Sequence, residues 1–249
     1  MKETWLLVPY AEYDGATNMA LDEEMLEARI KGEIPPVLRL YGFVPPCVTI
    51  GLSQKMDPAA EERIKVEGID VVRRPTGGRA VLHKNDLTYS FVGTDTTCGG
   101  RFSTSVTQSY KEISQGLVAA FAELGVQTEL GATGVAYRHL QDCFMATTGS
   151  DLHHGGTKLI GSAQVRRRGS ILQHGSVPLN QPPDLMPRLL GEPADAGAPR
   201  HLNLFDLIGR ETGIEELQSA FRLGFEKTFD VELRISPLFR SLRDSLSCS

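Results

Sequence analysis

Two runs rich in apolar and β-branched residues, KLIGSAQVRR and SILQHGSVPL, are separated by Arg168 and Gly169 alone. Two residues cannot carry a crossover connection, so strands joined this way must pair antiparallel in a tight hairpin. Arg168–Gly169 suits such a turn, because glycine accepts a left-handed backbone at no steric cost. An all-helical chain and a purely parallel, doubly wound sheet are both disfavoured from the outset.

The remaining pattern agrees. TWLLVP reads as a first strand. NMALDEEMLEARIKG reads as an amphipathic helix, with Asn18 as its cap, Gly32 as its stop and an apolar stripe of Met19, Leu21, Met25, Leu26 and Ile30. PPVLRLYGF and PCVTIGLS are strands bounded by Pro and Gly. Pro58 opens a helix that runs to about Glu67. IDVVRRP and DLTYSFVG are strands on either side of TGGRAVLHKN. Ser105–Leu124 carries the longest helical period in the chain. Pro182–Pro199 reads as a surface connection, NLFDLIG and GIEELQSAFRLGFEKTF as helices, and SPLFRSLRDSL as a weak terminal helix. Strands and helices mix without steady βαβ alternation. The expectation is an α+β fold with a mixed, largely antiparallel sheet flanked by helices. It would form one domain over residues 1–249, with C-terminal helices (200–249) packed back on the sheet.

The chain has 249 residues, enough to bury a sizeable core, and a net charge of −5. That balance argues against a nucleic-acid partner or an anionic membrane surface. No segment reaches the ~18 consecutive apolar residues of a membrane span. The N-terminus lacks a secretory pattern, and four cysteines without a CxxC do not suggest a disulfide framework. The expectation is a cytoplasmic protein with reduced thiols.

Two segments carry candidate chemistry. In VVRRPTGGRAVLH, Gly77 and Gly78 lack the spacing of a nucleotide-phosphate loop, but they would let backbone N–H groups approach a ligand closely. Arg73, Arg74 and Arg79 supply donors for carbonyl or phosphate oxygens, and His83 follows. The same residues also suit a plain turn with solvated arginines. The second segment centres on Cys143, for which three readings stand open. It is a small apolar residue in a core, a metal ligand with His139, Asp151, His153 and His154 nearby, or a nucleophile. Loop-forming TTGS and HHGG do not complete a metal-ligand spacing. Lys158, between small residues and an apolar strand, is a plausible acid/base partner for a thiol, since burial disfavours its charge.

Five stretches in order, NMALDEEML, PPVLRLYGF, VTIGLSQ, RRPTGGRAVLHKNDLTYSFV and GTKLIGSAQVRRRGSILQHGSVPL, resemble the lipoate–biotin protein ligase superfamily over roughly residues 1–180. The resemblance implies a fold like that of class II aminoacyl-tRNA synthetases and biotin synthetase. Three activities occur in the superfamily: ATP-dependent lipoate ligation, amidotransfer of octanoyl between lipoyl domains, and octanoyl transfer from acyl carrier protein. Arg79, at the place of a third glycine in the ligases, and Cys143–Phe144 before the lysine strand are similar to the octanoyl-acyl-carrier-protein:protein N-octanoyltransferases. That branch implies Cys143 as the acyl-carrying nucleophile and Lys158 as its acid/base partner. It implies substrate contacts from Arg73, Arg74, Gly77, Gly78, Arg79, His83, Gly161 and Ser162, and a tunnel for the acyl chain along residues such as Val72, Val81 and Leu159. The implied donor is octanoyl-acyl carrier protein. The implied acceptor is a lipoyl-domain protein, such as the glycine-cleavage H protein or a dehydrogenase E2 subunit. Arg73, Arg74 and Arg166–Arg168 would steer these acidic partners. No cofactor, metal or ATP is implied.

Overall fold

The hairpin forms where the sequence places it. In the computed structural model, which describes residues 2–131, 151–192 and 201–236, strands β9 (Thr157–Arg167) and β10 (Ser170–Pro178) pair antiparallel from Ser170 opposite Arg167 to Ser176 opposite Gly161. Arg168 and Gly169 turn the chain with φ of 50° and 78°, the left-handed pair that matches the twist of the flanking strands.

The other strands are β1 (Glu3–Tyr13), β2 (Val37–Phe43), β3 (Cys47–Ile50), β4 (Asp70–Arg73), β5 (Val81–His83), β6 (Asp86–Thr94), β7 (Glu129–Leu130), β8 (Leu152–His154) and β11 (Val231–Ile235). The helices are α1 (Gly15–Ile30), α2 (Pro58–Val66), α3 (Val106–Glu123), α4 (Leu185–Leu190), α5 (Leu204–Ile208) and α6 (Ile214–Phe229). Among the described residues, eight strands form one sheet in the order β11-β1-β2-β6-β10-β9-β8-β7. β1 runs parallel to β2 and β11, and every other pairing in that sheet is antiparallel. β3 joins β4 in parallel and β5 antiparallel in a second, three-stranded sheet. The fold is α+β and largely antiparallel, as expected from the mixture of strands and helices.

Side chains alternate across a sheet, so each face can be read from the register. Leu38 lies opposite Phe91 and Leu40 opposite Tyr89. These residues, with Trp5 and Leu7, pack against Phe121, Phe221 and Phe225 of α3 and α6 in the main core. The two helices cross closely because a Cβ on Gly224 would collide with the Ala120 backbone. On the other face Val37, Val92, Leu172 and Val165 meet Met25 and Leu26 of α1. The three-stranded sheet packs with α2 and α4 around a smaller core of Val48, Ile64, Leu82 and Leu189.

Several expectations need correction. α1 starts at Gly15, capped by Asp14, whose side chain accepts from the Thr17 N–H. Asn18 is instead fully buried inside the helix and donates to the carbonyls of Tyr13 and Gly42. The segment from Pro182 is not simply a surface connection: Leu185, Met186, Leu189 and Leu190 of α4 are buried, and apolar surface of that amount favours packing over exposure. The C-terminal segment is not only helical. VELRI forms β11 beside β1, and its alternation of apolar and charged residues was the available sign. Most of SPLFRSLRDSL lies outside the described residues. None of the described helices is long and apolar enough to cross a membrane.

Candidate functional site

The face of the large sheet that α1 and the smaller sheet cover changes character along its strands. Beyond the apolar row of Val37, Val92, Leu172 and Val165, the next row is Arg39, Ser90, His174 and Ala163. The row after that is Tyr41, Thr88, Ser176 and Gly161. Over these two rows lies a small pocket, lined from the other side by Met19 of α1 and by Thr49, Arg74, Val81 and His83.

Two buried carboxylates organise the wall. Asp22, on the inward face of α1, accepts from Arg39 (2.8 Å), Ser90 (2.8 Å), Tyr41 (2.9 Å) and His174 Nδ1 (2.9 Å). Burial pushes this carboxyl up, but the bond from His174, the Arg39 charge and the Ser90 hydroxyl outweigh it. Asp22 is held below its ordinary 3.8. Burial pushes His174 below its ordinary 6.5 against the pull of Asp22, and the nearby Arg74 works with burial. His174 is therefore neutral at pH 7, with Nδ1–H given to Asp22 and the Nε2 lone pair facing the Thr76 hydroxyl at 2.7 Å. Asp86 does the same on the neighbouring row. It accepts from Ser176 (2.7 Å) and Thr88 (3.0 Å) and meets His83 Nδ1 at 2.8 Å, while His83 Nε2 lies 3.0 Å from Thr49 Oγ1.

Arg74 ties the two arms together. It is 4 % exposed, and it donates to Thr76 Oγ1 (3.1 Å), Thr49 Oγ1 (3.3 Å) and the carbonyls of Thr49 (3.1 Å), Gly77 (2.8 Å) and Arg79 (2.7 Å). Its partners are thus largely the turn it precedes. Arg73 likewise donates to the carbonyls of Gly51, Leu52 and Gln54. Gly77 is exposed, and Gly78 and Arg79 are half-buried. Gly51 has to be glycine here, because a Cβ would strike the Gly78 carbonyl.

Lys158 is not among the residues that line the pocket, and it lies at an irregularity of β9. Leu152 pairs with Ile160, but His153 pairs with Lys158, so two residues of β9 advance against one of β8. This is a β-bulge at Leu159. Leu152 and Ile160 belong to the main core. His153 alternates with Leu152, so the bulge turns Lys158 to the opposite face, the one that carries Gly161 and Ala163. There Lys158 is 4 % exposed and lies 3.0 Å from Asp151 Oδ2.

Of the residues singled out in the sequence, Arg74, His83, Gly161 and Ser162 line the pocket. Ser162 points to the α3–α6 side, where its Oγ meets Tyr89 at 2.8 Å. Val81 lines the pocket too, whereas Leu159 lies in the main core and Val72 packs against the cluster of Met19, Tyr41, Phe43 and Cys47. Arg166 is largely buried, clamping Asp95 and the carbonyls of Ser103 and Thr104, and Arg167 pairs with Glu23 and Glu27. These two arginines are engaged within the molecule. Cys143, with His139 and Phe144, lies outside the described residues. Among the described residues no three His, Cys, Asp or Glu side chains gather as a metal site would need. Met19, Asp22, Tyr41, Thr49, Thr88 and His174 escaped the sequence reading. Asp22 offered a sign, since it sits three residues after Met19 and four before Leu26 on an otherwise apolar stripe.

Comparison with known proteins shows the family of the chain. The family model of the lipoyl protein ligase A/B catalytic domain matches residues 14–226. Octanoyltransferase LipM of Kyrpidia tusciae is 36% identical, over 98% of this chain and 93% of that protein. A crystal structure of lipoate-protein ligase A bound with ATP is similar in fold, with a TM-score of 0.76 at 24% identity over 95% of this chain and 89% of that one. A T. acidophilum protein solved with bound lipoic acid has a TM-score of 0.71 at 26% identity, covering 99% of this chain and 94% of that one.

Proposed function

The chain belongs to the lipoyl protein ligase A/B catalytic-domain family, and we propose that it is an octanoyltransferase of lipoate biosynthesis, placing an octanoyl group on a lysine of a lipoyl domain. The observation that carries this reading is the 36% identity to Octanoyltransferase LipM over 98% of the chain. Met19, Tyr41 and Val81 give the pocket apolar wall for a short acyl chain, and the polar groups beside them are already bonded to one another.

The donor is octanoyl-acyl carrier protein and the carrier of the group is Cys143. Its sulfur attacks the thioester carbonyl, the C–S bond to the carrier breaks, and the carrier thiol leaves with the proton. The lysine amine of the lipoyl domain then attacks the Cys143 thioester, forming the amide and releasing the Cys143 thiol. Thioester exchanged for thioester is close to balanced, and thioester to amide runs downhill, so no nucleotide is required. Lys158, held by Asp151, stands as the group that exchanges a proton with the thiol and the amine. Backbone N–H groups near Gly77, Gly78 and Gly161 would stabilise the carbonyl oxygen as it gains charge, a contact worth about 3 kcal/mol. Neither of the two described cysteines lines the pocket. Cys47 is buried, and burial with nearby carboxylates pushes its thiol up to about 12, so it stays a thiol. Cys98 is exposed on a surface turn and does not line the pocket.

Three parallel reactions with a lipoyl domain test the reading: octanoyl-acyl carrier protein, octanoyl-H protein, and octanoate with ATP. Transfer from the first alone is expected. Modification with pyrophosphate release in the third would make the chain a ligase, and preference for the second would make it an amidotransferase.

A further inference from the structure

We propose that Asp22 and His174 are positioning residues: acting through the Thr76 hydroxyl, they fix the turn Thr76–Arg79 against the central strand β10. The catalytic part of this proposal rests on the octanoyltransferase reading above.

With His174 neutral, its pKa lowered by burial, the direction of each hydrogen bond in the chain follows. The Asp22 carboxylate is fixed by Arg39, Tyr41 and Ser90 and has only acceptor atoms to offer. His174 must therefore give it Nδ1–H, which leaves Nε2 as an acceptor. The Thr76 hydroxyl, 2.7 Å away, must donate to that lone pair, and its own lone pairs then receive the Arg74 Nε–H at 3.1 Å. Arg74 in turn holds the Gly77 and Arg79 carbonyls. The turn is thereby referenced to a strand 98 residues away as well as to its own small sheet. Thr76 is fully buried, so no solvent can replace the missing partner if its hydroxyl is removed. Arg74 and His174 both line the pocket, and a turn that drifted would move the pocket wall with it. Misplacement by about 1 Å is enough to slow a positioned reaction.

The test compares Thr76→Val, which keeps the shape and removes the hydroxyl, with Thr76→Ser, which keeps the hydroxyl. Two quantities are read on the full chain: backbone amide exchange over residues 74–80 without substrate, and kcat and KM for octanoyl transfer from octanoyl-acyl carrier protein. Thr76→Val should speed exchange at Gly77–Arg79 by about tenfold or more and lower kcat by about ten- to a hundredfold with little change in KM. Thr76→Ser should restore both to within about threefold of the parent. Unchanged exchange in Thr76→Val overturns the proposal, as does altered exchange with an unaltered kcat. Equal impairment of the Val and Ser variants would reduce Thr76 to packing and also overturn it. Should Thr76→Val fail to fold, Thr76→Ala set against Thr76→Ser asks the same question. A parent chain that moves no octanoyl group would overturn the functional reading, while the exchange result would still decide the relay.

Discussion

The two faces of the large sheet are built on opposite principles. Against α3 and α6 the sheet presents Trp5, Phe91 and Tyr89 to Phe121, Phe221 and Phe225, with ring centroids of Trp5 and Phe91 5.2 Å apart. That face is held by apolar area and ring packing, which tolerate small shifts. Against α1 and the smaller sheet, two rows further along the same strands, the sheet buries Asp22, Arg39, His174, Asp86 and His83. Burying such groups gains little net stability even when they are fully paired. It does fix atoms, because every donor needs its own acceptor. The aromatic face carries the larger core, and the other face adds to a smaller apolar cluster a pocket with fixed polar walls.

The sharpest way to separate them is to remove one group from each. Lys158→Ala, on the pocket face, should lower the rate of octanoyl transfer by about 10²–10⁴, the usual contribution of a positioned acid or base; single-turnover transfer followed by intact mass gives the number. A variant with full activity would remove Lys158 from the chemistry. Phe91→Ala, on the aromatic face, should cost about 3–5 kcal/mol in denaturant unfolding while leaving the rate per folded molecule near that of the parent. A rate that collapsed with the core would show that the faces are not independent.

A smaller effect concerns pH. His174 is held below its ordinary 6.5 in the folded chain, so the unfolded chain binds the extra proton first. The stability it contributes is present above pH 6.5 and is lost as pH falls from there through the folded value, at up to about 1.4 kcal/mol per unit for one proton. Buried His201 shifts the same way and adds its share. Asp22 contributes at lower pH, since its stability is lost as pH falls below 3.8. Unfolding curves from pH 7.5 to 5 should therefore slope downward, and less steeply in His174→Gln. An identical slope in that variant would mean that His174 does not titrate on unfolding.

The sequence was readable where local rules decide. Arg168–Gly169 allowed only a hairpin, and Ser105 and Pro58 marked helix starts that the structure keeps. It was opaque where long-range pairing decides. β11 is five residues long and finds its partner at the far end of the chain, and α4 forms because an apolar face awaits it beside α2. The candidate site divides in the same way. Glycines, arginines and the isolated lysine stood out by composition. Asp22 and His174 are 152 residues apart, and nothing in either segment announces the other. The bulge that turns Lys158 to the pocket face depends on the register of β8 against β9, which no local pattern encodes.

We propose that one sulfur, that of Cys143, carries the acyl group between two proteins. The direct measurement is intact mass of the full chain after mixing with octanoyl-acyl carrier protein, before any lipoyl domain is added. One octanoyl adduct is expected, mapping to Cys143, absent in Cys143→Ser and discharged when a lipoyl domain is supplied. An adduct of undiminished size in Cys143→Ser, or octanoyl transfer by that variant at the parent's rate, would contradict the claim.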